Sequence, residues 1–157
     1  MAVFRIEVRP SPGNSDPRGD ATFRQAEAAG IPTLPSSVDT TAVYLVEGEF
    51  DNATAEKIAT ELLCDPVTES HLIGSSPPHA ESMIEIHPLP GVMDPAAQAV
   101  ELAINRMLDN TGVRVQTGCR YDFHDIDETG AELIAKRCLA NTVVHGIHLE
   151  PYHPSEF

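Results

Sequence analysis

A stretch of 16 residues occurs twice in the chain, and this repeat constrains the fold more than any other feature. Residues 6–21 (IEVRPSPGNSDPRGDA) align with residues 84–99 (IEIHPLPGVMDPAAQA) at an offset of 78, with 8 of 16 positions identical. A second apolar pattern, with the spacing of one helix face, occupies residues 55–63 and returns at residues 131–139. A chain with such self-similarity is expected to fold as two similar halves.

Both halves predict the same order of elements. Between residues 4 and 9 apolar and charged side chains alternate, which indicates a strand with one apolar face, and residues 84–87 repeat the pattern. A turn follows, and then Asp16-Pro17 or Asp94-Pro95 begins a helix, because Asp caps free N–H groups and Pro suits the first helical position.

Each half then continues with two short extended segments, a second helix and a closing strand. The extended segments lie around residues 38–47 and 113–124, and the closing strands around residues 67–73 and 143–150. The order βαββαβ per half predicts an α+β protein of two tandem ferredoxin-like repeats. We expect the first repeat at residues 1–73, a linker rich in turn formers at 74–82, and the second repeat at 83–157.

The segment 43–46 (VYLV) is apolar at every position, so both faces of its strand should be buried. A ferredoxin-like sheet has helices on one face only. We therefore expect the bare face of one repeat to be covered, most simply by the sheet of the other repeat.

The charge of the chain argues against nucleic acid as a partner. Ten Lys and Arg residues oppose 24 Asp and Glu residues, giving a net charge of −14, and the cations are scattered along the sequence. No apolar run approaches the roughly 18 residues of a membrane span. Arg5 and Glu7 stand where the apolar region of a signal peptide would begin. Together with the unpaired spacing of Cys64, Cys119 and Cys138, this predicts a reduced, cytoplasmic environment.

No catalytic, cofactor or metal motif is present in the sequence, so we expect no catalytic, cofactor-binding or metal-ligating residues. The phosphate-binding, nucleophile-elbow and zinc-protease motifs are absent. His145 and His148 are separated by an odd number of residues and should point to opposite faces of their strand. Acidic residues around 122–128 fit the first turn of a helix better than a cation site.

Three residues are the best candidates for contacts with a partner protein. Arg and Tyr are over-represented at interfaces, and Arg18 together with the pair Arg120-Tyr121 lies beside the predicted turns and strands. The alternative for each of them is an ordinary surface position.

The arrangement strand, Pro-Gly-x-x-Asp-Pro, helix resembles the PurS family, the small subunit of the glutamine-dependent formylglycinamide ribonucleotide amidotransferase of purine synthesis. Residues 90–95 carry the turn, and residues 139–144 (LANTVV) carry the later block that leads into the last strand. The first half has counterparts at residues 12–17 and 63–67, so the resemblance covers nearly all of the chain. Two departures are Cys119, where the family often has a basic residue, and the polar pair Asn14-Ser15.

The resemblance implies a fused PurS-like pseudo-dimer with a role in assembly. It implies a chain without catalytic residues that brings a synthetase and a glutaminase together for ammonia transfer. The chain would be a subunit or an N-terminal domain, ATP and magnesium would bind the synthetase, and homo-oligomers are compatible with the family. Two alternatives stay open: an ACT-type module that senses small molecules, and an enzyme that uses Asp and His residues in an unrecognised pocket.

Overall fold

The computed structural model describes residues 1–109 and 112–157. The order strand, helix, strand, helix, strand occurs twice in these residues. The strands are β1 (Ala2–Pro10), β2 (Val38–Gly48), β3 (Glu69–Ile73), β4 (Ser82–Pro88), β5 (Arg114–Phe123) and β6 (His145–His148). The helices are α1 (Pro17–Ala28), α2 (Asn52–Ile58), α3 (Pro95–Met107) and α4 (Glu128–Ile134); α2 and α4 continue into π-helical segments, Ala59–Leu63 and Ala135–Leu139.

The six strands form one antiparallel sheet in the order β3-β1-β2-β5-β4-β6. The two halves join at its centre, where β2 pairs with β5 over their whole lengths, from Val38 opposite Phe123 to Glu47 opposite Arg114. The predicted α+β class is confirmed, and the arrangement is consistent with a ferredoxin-like fold.

The predicted order of strands within each half needs one correction. The extended segments around residues 38–47 and 113–124 are single strands, so each half contributes three strands to the sheet rather than four. The segment Val38–Gly48 contains no Pro or internal Gly that would break it, and it pairs with β1 on one side and β5 on the other.

The expected stacking of two sheets is wrong, because the two halves are joined edge to edge. The helices lie on one face of the common sheet, where Tyr44 and Val46 pack. Val43 and Leu45 lie on the other face and are covered by Tyr152 and Phe157 from the end of the chain. The apolar pattern correctly indicated two buried faces but not what buries them.

The first helix of each half packs against the other half. Helix α1 lies against β2 and the π-helical segment Ala135–Leu139, and α3 lies against β5 and Ala59–Leu63. Two core clusters result, and each combines both halves. One contains Ala26 with Ile84 and Ile134, and the other contains Ile104 with Ile6, among others. Neither half encloses a core of its own.

Both predicted Asp-Pro helix starts are confirmed. The Asp16 carboxylate accepts a hydrogen bond from the N–H of Gly19 at 2.8 Å, and Asp94 accepts one from the N–H of Ala97 at 3.0 Å. Each carboxylate also accepts bonds from the main-chain N–H and the hydroxyl of a threonine on the neighbouring strand, Thr40 or Thr117, at 2.6–3.0 Å. The same device therefore ties a helix to a strand in both halves.

Within the described part of the chain, no helix combines the length and hydrophobicity that crossing a membrane requires.

Candidate functional site: the polar face of the sheet

The face of the sheet opposite the helices carries a group of charged side chains that are almost completely buried. They are contributed in pairs by β1, β4 and β5, and each is at most 2% exposed. We call this group the buried ionic network; its members are Arg5, Glu7, Glu85, His87, Arg120 and Asp122. The two guanidinium groups face three carboxylates, and Arg9 at the margin supplies a third cation.

Arg5 links the two halves across the sheet. Its guanidinium donates to Glu7 on the same strand at 2.7 and 3.1 Å and to both oxygens of Glu85 on β4 at 2.6 and 2.9 Å. Burial alone would raise the pKa of Glu85, but hydrogen bonds from His87 and Arg5 outweigh it and lower that pKa to about 2. Glu85 is therefore ionised and paired at neutral pH.

Arg120 makes the reciprocal link from β5. It forms a two-pronged ion pair with Asp122 at 3.0 and 3.1 Å and lies 3.6 Å from Glu7 on β1. It also donates to the carbonyl oxygens of Ser76 and Pro77 at 3.0 and 3.1 Å. The linker between the halves is thus held over the network by a buried guanidinium.

The linker also contributes directly to the environment of Glu7. The N–H and hydroxyl of Ser76 donate to Glu7 at 3.1 and 2.6 Å. Burial would raise the pKa of Glu7, but the bonds from Ser76 and Arg5 prevail and lower it. Glu7 is consequently a fixed anion that attracts both the linker and Arg9, which donates to it at 2.9 Å.

The His87 ring fits on the sheet because the neighbouring residue on β5, Gly118, has no side chain. The ring lies over Gly118, where a Cβ atom would stand 2.2 Å from the imidazole. Nε2 is 2.6 Å from Glu85, whereas Nδ1 is buried and has no hydrogen-bond partner among the described residues. The sequence predicted neither this pairing nor the role of Gly118, because both depend on which strands are neighbours.

The structure separates the three predicted contact residues. Arg18 and Tyr121 lie on the helical side of the sheet, where Arg18 donates to the Cys119 sulfur at 3.2 Å. Burial raises the pKa of the Cys119 thiol and of Tyr121. Arg120 lies on the opposite face and is 1% exposed, so the expectation that it is a surface residue has to be revised. Arg18 is exposed.

Outside the network, the polar side chains singled out from the sequence have structural partners. Asp127 caps α4 through the N–H of Gly130 at 2.8 Å. His148 stands opposite Glu85 and beside His87, on the polar face, whereas His145 is three residues away along the strand and bonds to the N–H of Asn141. No three His, Cys, Asp or Glu side chains of the described residues are grouped to hold a metal ion.

A cleft lies between the two halves on the helical side of the sheet. It has a volume of about 740 Å³ and is lined by the loop at Ile31, Pro32 and Thr33 and by α4 with its preceding turn, including Asp125 and Lys136. It contains no part of the buried ionic network. The network itself is closed to solvent, and each of its carboxylates and guanidinium groups is ion-paired. Its role is therefore to hold the strands together.

Sequence reasoning missed the network because alternation in a strand normally places charged residues in water. The repeated IE pair at residues 6–7 and 84–85 was a signal, since a repeat of carboxylates at equivalent strand positions is consistent with a shared buried role. These carboxylates are buried by the linker and by the last residues of the chain, through Ser76 and Tyr152. The periodicity of the sequence does not predict where such irregular segments lie.

Comparison with known proteins gives one family. The model of the PurS family, described as phosphoribosylformylglycinamidine (FGAM) synthase, matches residues 81–152. The second half of the chain is therefore similar to the PurS family over these residues. No curated protein matches the chain.

Proposed function

We propose that this chain is a non-catalytic assembly component of FGAM synthase, as a subunit or as an N-terminal domain. The observation that carries the proposal is the match of residues 81–152 to the PurS family. Its role would be to hold a synthetase and a glutaminase so that ammonia released from glutamine reaches the activated amide. ATP and magnesium belong to the synthetase in this proposal, and the assembly is cytoplasmic.

We further propose that the whole chain is a fused PurS-like pseudo-dimer. The element order of the matched half also occurs in the first half, and the strand order is mirrored about the β2–β5 pair. The Asp16–Thr40 and Asp94–Thr117 contacts are equivalent, which supports a common origin of the halves. Exchange of the first helices between the halves is also what fusion of an intertwined dimer would produce.

The exposed face of α1 is the partner contact that we favour. Arg18 is exposed there, and its position beside Cys119 and Tyr121 places a cation next to a partly buried aromatic ring. Because the chain is strongly acidic, such a cation is a distinct feature of its surface.

Reconstitution with the synthetase and glutaminase of the same organism tests the proposal. Glutamine-dependent FGAM formation should require the chain, whereas formation from added ammonia should not, because ammonia bypasses the assembly. Arg18→Ala should weaken co-elution with a partner, and Arg24→Ala, on the same helix, should not. Failure of the chain to associate with either protein, or hydrolysis of glutamine by the chain alone, would contradict the proposal.

A second candidate function is a sensor for small molecules. The cleft of about 740 Å³ between the halves favours it, because tandem α+β modules bind ligands at such junctions. A panel of amino acids and nucleotides should then raise the melting temperature in proportion to RT ln(1 + [L]/Kd). The absence of any shift, together with co-elution with a synthetase or glutaminase, would favour assembly instead.

A further inference from the structure

A polar cleft lies at the corner of the polar face where β3, β1 and β2 meet. It has a volume of about 460 Å³, and its lining includes the turn at residues 10–14 and the side chains of Arg9, Asp39, Thr41, Ser70 and His79. None of the lining residues belongs to the segment 149–157 that covers other parts of this face. The cleft is therefore separate from the part of the sheet that the end of the chain buries.

Three polar side chains form a row across the strands in this cleft. Ser70 on β3 stands opposite Arg9 on β1, and Thr41 on β2 follows directly after the last β1–β2 pair, Val8 opposite Ala42. Residues opposite each other on adjacent strands point to the same face, and the strands are about 4.8 Å apart. One guanidinium group is thus flanked by a hydroxyl group on each side.

The equivalent row in the second half has none of this chemistry. His87 takes the place of the arginine, and it stands opposite Gly146 on β6 and beside Gly118 on β5. Both hydroxyl positions are therefore glycines, and the imidazole ring lies over one of them. Because the second half forms the same strands without the polar row, the fold does not require that row.

The hydroxyl groups of the row have no partners within the protein. Thr41 is 2% exposed, yet its hydroxyl makes no hydrogen bond to another described residue, and the same holds for the hydroxyl of Ser70. A buried hydroxyl without a partner is unfavourable, because it loses its hydrogen bonds to water. Thr41 is consequently a donor that a ligand in the cleft would satisfy.

Arg9 also keeps part of its hydrogen-bonding capacity. Its Nη2 donates to Glu7 at 2.9 Å and to the Ser76 hydroxyl at 2.5 Å, and its Nη1 contacts Nε2 of His79. The Nε–H group and one N–H of Nη1 have no acceptor among the described residues. The side chain is 23% exposed, so these groups are accessible from the cleft.

His79 adds a neutral donor. Burial and the neighbouring Arg9 lower the pKa of His79, so the imidazole is uncharged at neutral pH. Because its Nε2 faces the N–H of Arg9, this nitrogen accepts and the ring proton is on Nδ1. The ring therefore presents an N–H group rather than a second acceptor.

The carboxylates that border the cleft are already satisfied. Asp16 accepts bonds from the N–H of Gly19 and from the N–H and hydroxyl of Thr40. Asp39 is paired with Nε2 of His124 at 2.6 Å, and this contact raises the pKa of His124. The hydrogen-bonding groups that remain available are therefore donors.

We propose that this cleft binds a tetrahedral oxyanion, either inorganic phosphate or the phosphate group of a small metabolite, through Arg9, Thr41 and Ser70. Guanidinium and hydroxyl groups are suitable donors to phosphate oxygens. The donors come from three strands and the linker, so they reach the ligand from several directions, which fits a tetrahedral group better than a planar carboxylate. This inference does not depend on the proposed function.

An NMR titration of the full chain with sodium phosphate tests the site. Ionic strength is kept constant with sodium chloride, because the chain carries a net charge of −14 and screening alone would alter its spectrum. Amide signals around Arg9, Thr41 and Ser70 should shift and saturate. Arg9→Gln should weaken binding about tenfold, and Arg106→Gln, an exposed arginine on α3, should leave it unchanged.

Thr41→Val separates a ligand donor from a structural group. It keeps the branched shape and removes a hydroxyl that has no partner in the described part of the protein, so urea unfolding should show unchanged or higher stability. Phosphate binding should nevertheless weaken about tenfold. Unchanged binding by a folded Thr41→Val variant, or the absence of saturable shifts in the wild-type chain, would overturn the proposal.

Two further titrations identify the source of the oxyanion. Tighter binding of glycerol 3-phosphate than of inorganic phosphate would assign the cleft to a phosphorylated metabolite, and tighter binding of inorganic phosphate would assign it to the free ion. Acetate should bind much more weakly than either. Equal binding of acetate and phosphate would contradict a site for a tetrahedral group.

Discussion

Arg5 shows how one charged residue organises this structure. It is 1% exposed, and it contacts a carboxylate on its own strand, a carboxylate on a strand of the other half, and the main chain of Tyr152. A buried charge is tolerated only when its partners compensate for the lost hydration. Here the compensation is complete, because Nε donates one hydrogen bond and each terminal nitrogen donates two, which matches the five N–H groups of the guanidinium.

Arg5→Met is expected to reduce the free energy of unfolding by about 3–5 kcal/mol, because Glu7 and Glu85 stay buried without their shared cation. Urea denaturation of both proteins measures the difference. Arg24→Met, at an exposed position of α1, is the matched control and should change stability by no more than about 0.5 kcal/mol.

The same comparison has a pH dependence with a defined sign. The pKa of Glu85 is about 2 in the folded chain against 4.5 for the unperturbed group, so its contribution is present above pH 4.5 and is lost as the pH falls toward 2. The destabilisation by Arg5→Met should therefore shrink on acidification. A difference that stays constant or grows below pH 4.5 would show that the ion pairs are not its cause.

Gly118→Ala is expected to destabilise the chain by about 1–3 kcal/mol, because the added methyl group would overlap the His87 ring. His87→Ala in the same chain removes the overlap, so the double variant should lose less than the sum of the two single effects. Chemical denaturation of the four proteins gives this coupling. Gln116→Ala, on the same face of β5, should be additive with His87→Ala, and additivity at Gly118 as well would contradict the proposed contact.

At the scale of elements, the two Asp-Pro turns do more than begin helices. Asp16 and Asp94 each join the first turn of a helix to a threonine on β2 or β5, the two strands that meet at the centre of the sheet. These hydrogen bonds fix the position of each helix on the sheet, in addition to the apolar contacts between them. The contact is equivalent in both halves, so its loss should have similar consequences in either.

Asp16→Ala and Asp94→Ala should each cost about 2.5–4 kcal/mol of unfolding free energy, because each carboxylate caps a helix and accepts two hydrogen bonds from a threonine. About 0.5–2 kcal/mol comes from the helix cap, and about 1 kcal/mol comes from each of the hydrogen bonds to threonine. Thermal and urea unfolding measure both. Asp20→Ala, in the first turn of α1 but without the cap, should cost less than about 1 kcal/mol, and an equal cost for all three would refute the dual role.

The elements were predictable where a local pattern determines them. The alternation in β1 and β4, the Asp-Pro starts of α1 and α3, and the apolar faces of the second helices all agree with the structure. The number of strands per half and the joining of the halves into one sheet could not be predicted from the sequence. Both depend on hydrogen bonds between β2 and β5, whose residues are far apart in the chain. Burial of Arg5 and Glu7 depends in turn on segments that lie far away in the sequence.

At the scale of the whole molecule, the halves are interdependent. Helix α1 packs against the π-helical segment of the second half, and α3 packs against that of the first. The central strand pair and the ion pairs of Arg5 and Arg120 cross the same boundary. The molecule is therefore expected to unfold as one cooperative unit rather than as two.

Separate fragments of residues 1–78 and 79–157 should lack stable tertiary structure alone and regain it when mixed. Each fragment loses the helix that completes its core and half of the central strand pair. Dispersed ¹H–¹⁵N NMR spectra for the mixture, but not for either part, are the expected result. A fragment that unfolds cooperatively by itself would show that one half is an independent domain.

The crossed placement of α1 and α3 also limits how such a gene can change over time. Recombination could replace one half with that of a distant relative. The first helix of the new half would then pack poorly against the retained half, and the first helix of the retained half would pack poorly against the new one. Ala26 and Ile134 lie in one core cluster although they come from different halves. Substitutions at these two positions should therefore covary among related sequences.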